Sequence, residues 1–428
     1  MDVQTTEDLA TEDLATEDLA AQAWSLPLDQ LDVSNPLLYQ QDCWRPYFAR
    51  LRQEDPVHRC ENGMYGDYWS VTSYRDIMQV DTSPQIFSSD AMLGGIVIRD
   101  VPMDARRPSF ISMDPPKHDA QRKIVSPIVA PANLANLAGT IRERAGRILD
   151  GLPRDETFDW VSRVSVELTT QMLATLFDFP FEERGKLTHW SNVATVNTRA
   201  GTEIDSEAKR DAVLQQALAY FNVLWEQRAK APPQADLISM LAHGEATRDL
   251  PSRPHEFLGN LILLIVGGND TTRNSITGGL LALSQYPDQY QRLRQNPGLI
   301  ASMVPEIIRW QSPVIHMRRT ALADTELGGK TIAKGDKVVM WYISGNRDEA
   351  AIEDADKFII DRPRPRQHMS FGFGIHRCVG NRLAEMQLSI LWEEILKRFD
   401  RIEVVGPPER LYSNLLRGIN SLPVRIPG

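Results

Sequence analysis

Hydrophobic and polar positions follow a 3.6-residue rhythm through most of the chain and alternate strictly in few places. That pattern predicts a mainly α fold with a small β part. Three helices stand out. The first is predicted to start after Pro254, run past Thr277 and stop before Pro287, since proline suits a first helical turn and cannot continue a last one. The second is predicted from near Pro297 to before Pro313. The third runs from about Gly380 to Phe399, with Leu383, Met386, Leu388, Ile390, Leu391 and Leu396 at helical spacing. Residues 69–72 and 337–343 (KVVMWYI) are β-rich and preceded by turn residues, so both are predicted strands. No Gly/Ser-rich linker interrupts residues 26–428. A single large domain is expected there, although 428 residues would allow two or three.

Residues 1–25 break the pattern. TEDLA occurs three times over 6–20, a period too short for a folded repeat, and we expect a flexible acidic tail. The tail also changes the meaning of the net charge of −10. Residues 1–20 hold seven acids and no Lys or Arg, so the remainder carries only −3. Apolar residues at 42% and charged residues at 24% fit a soluble globular protein. The acidic balance argues against a nucleic-acid partner. Cys43, Cys60 and Cys378 show no zinc or disulfide spacing. The longest purely apolar run is residues 261–266, far below the ~20 a membrane span needs. With no secretory signal pattern in view, a cytoplasmic protein is expected.

The most informative segment is FGFGIHRCVG, residues 371–380. Its glycines suggest a tight loop whose backbone approaches something closely. A cysteine just before a helix meets free N–H groups and partial positive charge, both of which stabilise a thiolate. Such a thiolate can be a nucleophile, with His118, His316 or His368 as possible bases, or a metal ligand. The pattern F-x-x-G-x-H-x-C-x-G, at Phe371, Gly374, His376, Cys378 and Gly380, resembles the haem-thiolate loop of the cytochrome P-450 superfamily.

Three further segments carry the same resemblance. Glu306-Ile-Ile-Arg309 places both charges on one helix face. Gly267-Gly-Asn-Asp-Thr-Thr272 puts two glycines and a polar run inside an otherwise apolar helix, at a cost that needs a reason. Asp114-Pro-Pro-Lys-His118 through Arg122 sets two cationic donors at i and i+4. The resemblance implies one domain around haem b, lying between the long oxygen-binding helix and the helix after the Cys loop. It implies Cys378 as proximal iron ligand, with Gly372 and Gly380 in the loop that tunes the sulfur and Phe371 shielding it. Thr271 would contact dioxygen and Asp270 would take part in proton delivery. Gly267 and Gly268 would open space over the haem. His118, Arg122, Arg319 and His376 would meet its propionates, with Arg318 leaving the arginine assignment uncertain by one position. Glu306, Arg309 and Arg362 would form a structural charge cluster.

Longer stretches, at 110–131, 316–321 and 344–348, resemble the soluble bacterial alkane terminal-hydroxylase group. That implies ω-hydroxylation of a medium-chain alkane, fatty acid or related aliphatic to a primary alcohol. Ile98, Leu263, Leu264, Gly267, Val314, Ile315 and Leu416 are the pocket candidates, joined by Ile96, Val97, Val266 and Leu415. The chain has no G-x-G-x-x-G fingerprint and no room for a flavin reductase, so neither flavin nor NAD(P) is expected on it. A ferredoxin, served by a ferredoxin reductase, would then bring electrons. Arg362, Arg364, Arg366, Arg377 and Arg382, with no acid among them, would receive it. The alternatives are a steroid or terpenoid side-chain hydroxylase, a peroxide-driven haem enzyme, a non-catalytic haem sensor and a haem-free cysteine hydrolase.

Overall fold

The computed structural model describes residues 19–198 and 203–428. Its helices used below are α1 (Lys117–Val125), α2 (Pro131–Asp150), α3 (Glu167–Phe177), α4 (Gly185–Thr195), α5 (Glu207–Lys230), α6 (Pro254–Gln285), α7 (Ile300–Gln311) and α8 (Asn381–Arg398). The prolines that opened the predicted helices act as expected. Pro254 occupies the first turn of α6, and Pro297 opens a short 3-10 turn that leads into α7. Helix α6 is the axis of the molecule and packs against α3, α4, α7 and α8, while α8 lies along α2. One core cluster joins these helices, from Phe110 and Val125 through Leu261 and Ile307 to Leu391.

Among the described residues the β part is one five-stranded sheet, one short three-stranded sheet and two two-stranded pairs. The strands of the five-stranded sheet are β1 (Val57–Gly63), β2 (Gly66–Val71), β3 (Phe87–Ser88), β4 (Met317–Ala321) and β5 (Lys337–Met340), in the order β1-β2-β5-β4-β3. Only β2 and β5 run parallel. The strand expected over 337–343 ends at Met340. Beyond it, the carbonyl of Trp341 accepts from the N–H groups of Ser344 and Gly345, and Tyr342–Gly345 turns helical. The apolar run continues because Trp341 and Ile343 are buried in a second core cluster, where aromatic packing outweighs β propensity.

Of the expected tail over 1–25, residues 1–18 lie outside the described residues. Residues 19–25 are helical and docked: Tyr47 Oη donates to the Leu19 carbonyl at 2.7 Å, and Arg50 donates to the carbonyls of Ala23 and Leu26. The folded body therefore reaches back into the last TEDLA repeat. Among the described residues no single helix is long and apolar enough to cross a membrane.

Candidate active site

The Cys loop is closed by its own backbone. The Cys378 N–H donates to the Phe371 carbonyl at 2.7 Å, and Gly372 N–H donates to Met369 O at 2.8 Å. Gly374 takes φ +63°, and a Cβ there would sit 2.4 Å from the Asp81 carbonyl, so only glycine fits. Asp81, buried and unremarkable in sequence, is the loop's anchor. Its carboxylate accepts from Phe373 N–H (2.7 Å), Tyr342 Oη (2.9 Å) and Arg319 Nη2 (2.8 Å). Cys378 keeps accessible surface although protein surrounds it, as a side chain lining an interior hollow does. Burial pushes its thiol up. The N–H groups of Gly380 and Asn381 and the guanidiniums of Arg122 and Arg377 pull it back down. Among the described residues no histidine hydrogen-bonds this sulfur. His118 Nδ1 meets Asp119, His316 meets Ile98 and Asn414, and His368 meets Ser370, which leaves a cysteine nucleophile without a base.

Behind the loop, three buried charges form a closed cluster. Arg309 makes a bidentate pair with Glu306 (2.7 and 2.8 Å), and Arg362 Nε adds a bond at 3.0 Å. The remaining donors of Arg309 reach the carbonyls of Asn346, Ala355 and Lys357. Glu306 also accepts from the Ile359 N–H at 2.9 Å. Full satisfaction is what makes such burial tolerable. Asn346 extends the cluster, bonding Ser312, Ser370 and the Met369 N–H just before the loop.

The polar run of α6 sorts by face. Asn269 and Asp270 are fully buried, while Gly267 is exposed in the middle of a core helix. A Cβ at Gly267 would meet nothing within 4 Å, so this glycine does border open space. Gly268 does not: a Cβ there would lie 2.8 Å from Leu173 of α3, so its small size serves helix packing, contrary to the expected role over the haem. Thr271 Oγ1 donates to Gly267 O at 3.0 Å, the ordinary back-bond of a helical threonine. Asp270 Oδ2 accepts from Ser191 (3.0 Å) and Thr195 (3.5 Å) of α4, and Arg273 lies 2.7 Å from its Oδ1. Burial raises the Asp270 carboxyl; Arg273, Ser191 and Thr195 oppose that. Arg273, one turn along the same helix, could have been found from its i+3 spacing. The α4 partners had no signal in sequence.

Ring nitrogens without partners mark the edge of the hollow. His118 Nε2 and both ring nitrogens of His376 are buried with no hydrogen-bond partner, and the two rings meet edge to face at 4.5 Å. Arg122, half-buried on α1, donates to the Arg377 carbonyl of the Cys loop. Arg318 and Arg319, adjacent on β4, point to opposite faces. Arg318 pairs with Asp100 on the outer connection, whereas Arg319 faces Asp81; burial first, and then the charges of Arg319, His118 and Arg122, lower the pKa of His376. A lone cysteine sulfur, an open glycine face, two arginines and unpartnered ring nitrogens at the edge fit a flat apolar group with carboxylates on its rim. Haem has that chemistry, and Cys378, His118, His376, Arg122 and Arg319 are the residues that would hold it.

The pocket candidates separate. Leu263, Leu264, Val266 and Val314 stay half-buried and Gly267 exposed. Ile98 and Ile315 do not line a pocket: both are buried in the cluster around Trp341. Leu416 is buried and bridges Val314 across an antiparallel contact. Of the five arginines expected as a basic patch, Arg362 is consumed by Glu306 and Arg366 pairs with Glu385 at 2.8 Å. Arg364, Arg377 and Arg382 remain exposed, with no ion pair among the described residues.

Residues 202–421 match the family model described as Cytochrome P450. Linalool 8-monooxygenase of Pseudomonas putida is 39% identical over 93% of this chain and 99% of its own length. Methyl-branched lipid omega-hydroxylase of Mycobacterium tuberculosis is 35% identical over 88% of this chain and 90% of its own. Among solved structures, CYP153D17 from Sphingomonas sp. PAMC 26605 superposes with a TM-score of 0.87 at 48% identity, covering 94% of this chain and 100% of that one. Cytochrome P450-153 from Novosphingobium aromaticivorans gives 0.85 at 45% identity, covering 92% and 99%.

Proposed function

This chain belongs to the cytochrome P450 family, and from that premise we propose that it hydroxylates the terminal carbon of a medium-chain alkane, fatty acid or related aliphatic. It is a cytochrome P450 monooxygenase. The observation that carries the substrate class is the half-buried apolar run Leu263, Leu264 and Val266 on α6, one to two turns before Asp270 and Thr271 and beside the open face of Gly267. A chain without polar groups loses nothing by entering such a wall, and burial of its methylenes supplies the binding energy, about 0.8 kcal/mol each. The 35% identical lipid omega-hydroxylase supports the same reading.

Haem b, when bound through Cys378, supplies the oxygen-activating redox chemistry. The protein's own residues do the rest. Arg122 and Arg319 would hold and neutralise the propionates, with the unpartnered ring nitrogens of His118 and His376 beside them. Asp270, whose carboxyl is raised by burial, accepts hydrogen bonds from the Ser191 and Thr195 hydroxyls at its Oδ2 and would take part in proton delivery towards the neighbouring Thr271. The hydroxyl of Thr271 spends its hydrogen on Gly267 O, so it can accept a proton-bearing partner and relay by rotation. Electrons come from a ferredoxin that docks on Arg364, Arg377 and Arg382.

Product analysis with a ferredoxin and its reductase tests this on alkanes and fatty acids of graded length. Primary alcohols as main products support the reading. Secondary alcohols, or uncoupled turnover of every aliphatic, contradict it. A terpenoid is the competing occupant, because linalool 8-monooxygenase is 39% identical; a substrate-induced spin shift with terpenoids and none with aliphatics would favour it.

A further inference from the structure

We infer that His316 is a positioning residue that fixes the two loops closing the substrate wall and thereby holds the terminal carbon in place. The inference rests on the proposed terminal hydroxylation and names a residue to which none of the haem motifs gives a role. The imidazole is fully buried and spans two backbones that are distant in sequence. Its Nδ1 lies 2.7 Å from the Asn414 carbonyl and its Nε2 lies 3.1 Å from the Ile98 N–H. A carbonyl can only accept and an N–H can only donate. The ring is therefore the neutral tautomer with its proton on Nδ1. Burial lowers its pKa to about 4, so this tautomer persists at neutral pH.

Each bonded segment carries half-buried apolar residues among the pocket candidates. Residues 96–98 bring half-buried Ile96 and Val97. Residues 413–416 bring half-buried Leu415, whose carbonyl accepts from the Ile315 N–H at 2.8 Å. His316 itself follows Val314 by two positions. The outer connection is laid along β4 by further bonds: Arg318 N–H to Ile96 O at 2.8 Å, and Thr320 Oγ1 to Leu93 O at 2.8 Å. Those bonds hold it to the sheet. His316 alone among these groups ties it to the C-terminal turn as well. Trp341 packs against the ring at 5.1 Å and limits its tilt, and Asn414 is tied onward to Ser34 O at 2.7 Å. A terminal hydroxylase must deny the weaker subterminal C–H bonds access, and small displacements of a positioning wall change such outcomes strongly.

Three variants test it. His316→Phe keeps volume and removes both bonds. His316→Asn is too short to span both partners. His316→Gln offers a donor and an acceptor at comparable reach. Phe and Asn variants should lower the ratio of primary to secondary alcohol about tenfold, while Gln stays near wild type. Amide hydrogen exchange gives a readout independent of turnover: 96–98 and 413–416 should exchange faster in the Phe and Asn variants, with α6 and the Cys loop unchanged. Should the Phe variant not fold, the Asn and Gln pair decides. An unchanged product ratio and unchanged exchange in a folded variant would overturn the assignment. If the wild type makes no primary alcohol but exchange at 96–98 still responds, the substrate reading fails and the positioning role stands.

Discussion

The two sides of the hollow are built on opposite principles. On the Cys378 side the charge cluster and the loop anchor are satisfied by protein: Glu306 has two arginines, Arg309 has three carbonyls besides, and Asp81 holds three donors. On the α6 side, groups stay open. Gly267 faces open space and Leu263, Leu264 and Val266 stay partly exposed, while at the rim between the two sides the ring nitrogens of His118 and His376 lack partners. The closed side is built to hold a ligand at fixed geometry, and the open side to receive a group, oxygen and substrate. Buried polarity is stabilising only where complete, so the closed side should govern stability and the open side activity.

The sharpest way to break that contrast is at the charge cluster. Glu306→Gln leaves Arg309 and Arg362 buried without their counter-charge and should cost about 3–5 kcal/mol. Denaturant unfolding measures it, and a midpoint equal to wild type would refute the division. Next is Asp270→Asn, which keeps the shape and loses the ionisable group. Product formation should fall on the order of 100-fold with stability close to wild type. A large stability loss with normal coupling would mean that Asp270 belongs to the closed kind.

A smaller effect concerns pH. His316 titrates at about 4 in the folded chain against an ordinary 6.5. As pH falls, the unfolded chain binds the proton first, so this histidine's contribution is intact above about 6.5. It is lost progressively towards 4, at up to about 1.4 kcal/mol per pH unit. His316→Gln should flatten that acid limb in unfolding measurements at graded pH; an unchanged limb would place the proton uptake elsewhere. The smallest effect lies outside the hollow. Arg364→Glu with Arg382→Glu should raise the KM for ferredoxin a few-fold, more at low salt than at high salt, with kcat little changed. Salt-independent kinetics in both proteins would place docking on another face.

Much of the closed side could be read from sequence, because its parts are local or motif-spaced. The i, i+3 pair Glu306–Arg309, the glycines around Cys378 and the proline-bounded helices each announce a backbone requirement. The anchors did not. Asp81 meets the Cys loop across almost 300 positions, and nothing in QVDTS marks it. Ser191 and Thr195 reach Asp270 only because α4 crosses α6. Gly267 and Gly268 look alike in sequence, yet one borders the hollow and the other admits Leu173, since a turn of about 100° per residue points them apart. Ile98 and Ile315 were credible wall residues by hydrophobicity alone. Their burial around Trp341 depends on where β5 ends, which no local pattern fixed.

The most direct measurement is the reduced carbon-monoxide spectrum of the haem-loaded protein, taken for wild type and Cys378→Ala. Thiolate ligation by Cys378 predicts the red-shifted Soret band in wild type and its loss in the variant. Absence of the band in wild type, or its persistence in Cys378→Ala, would contradict the assignment of Cys378 as the iron ligand.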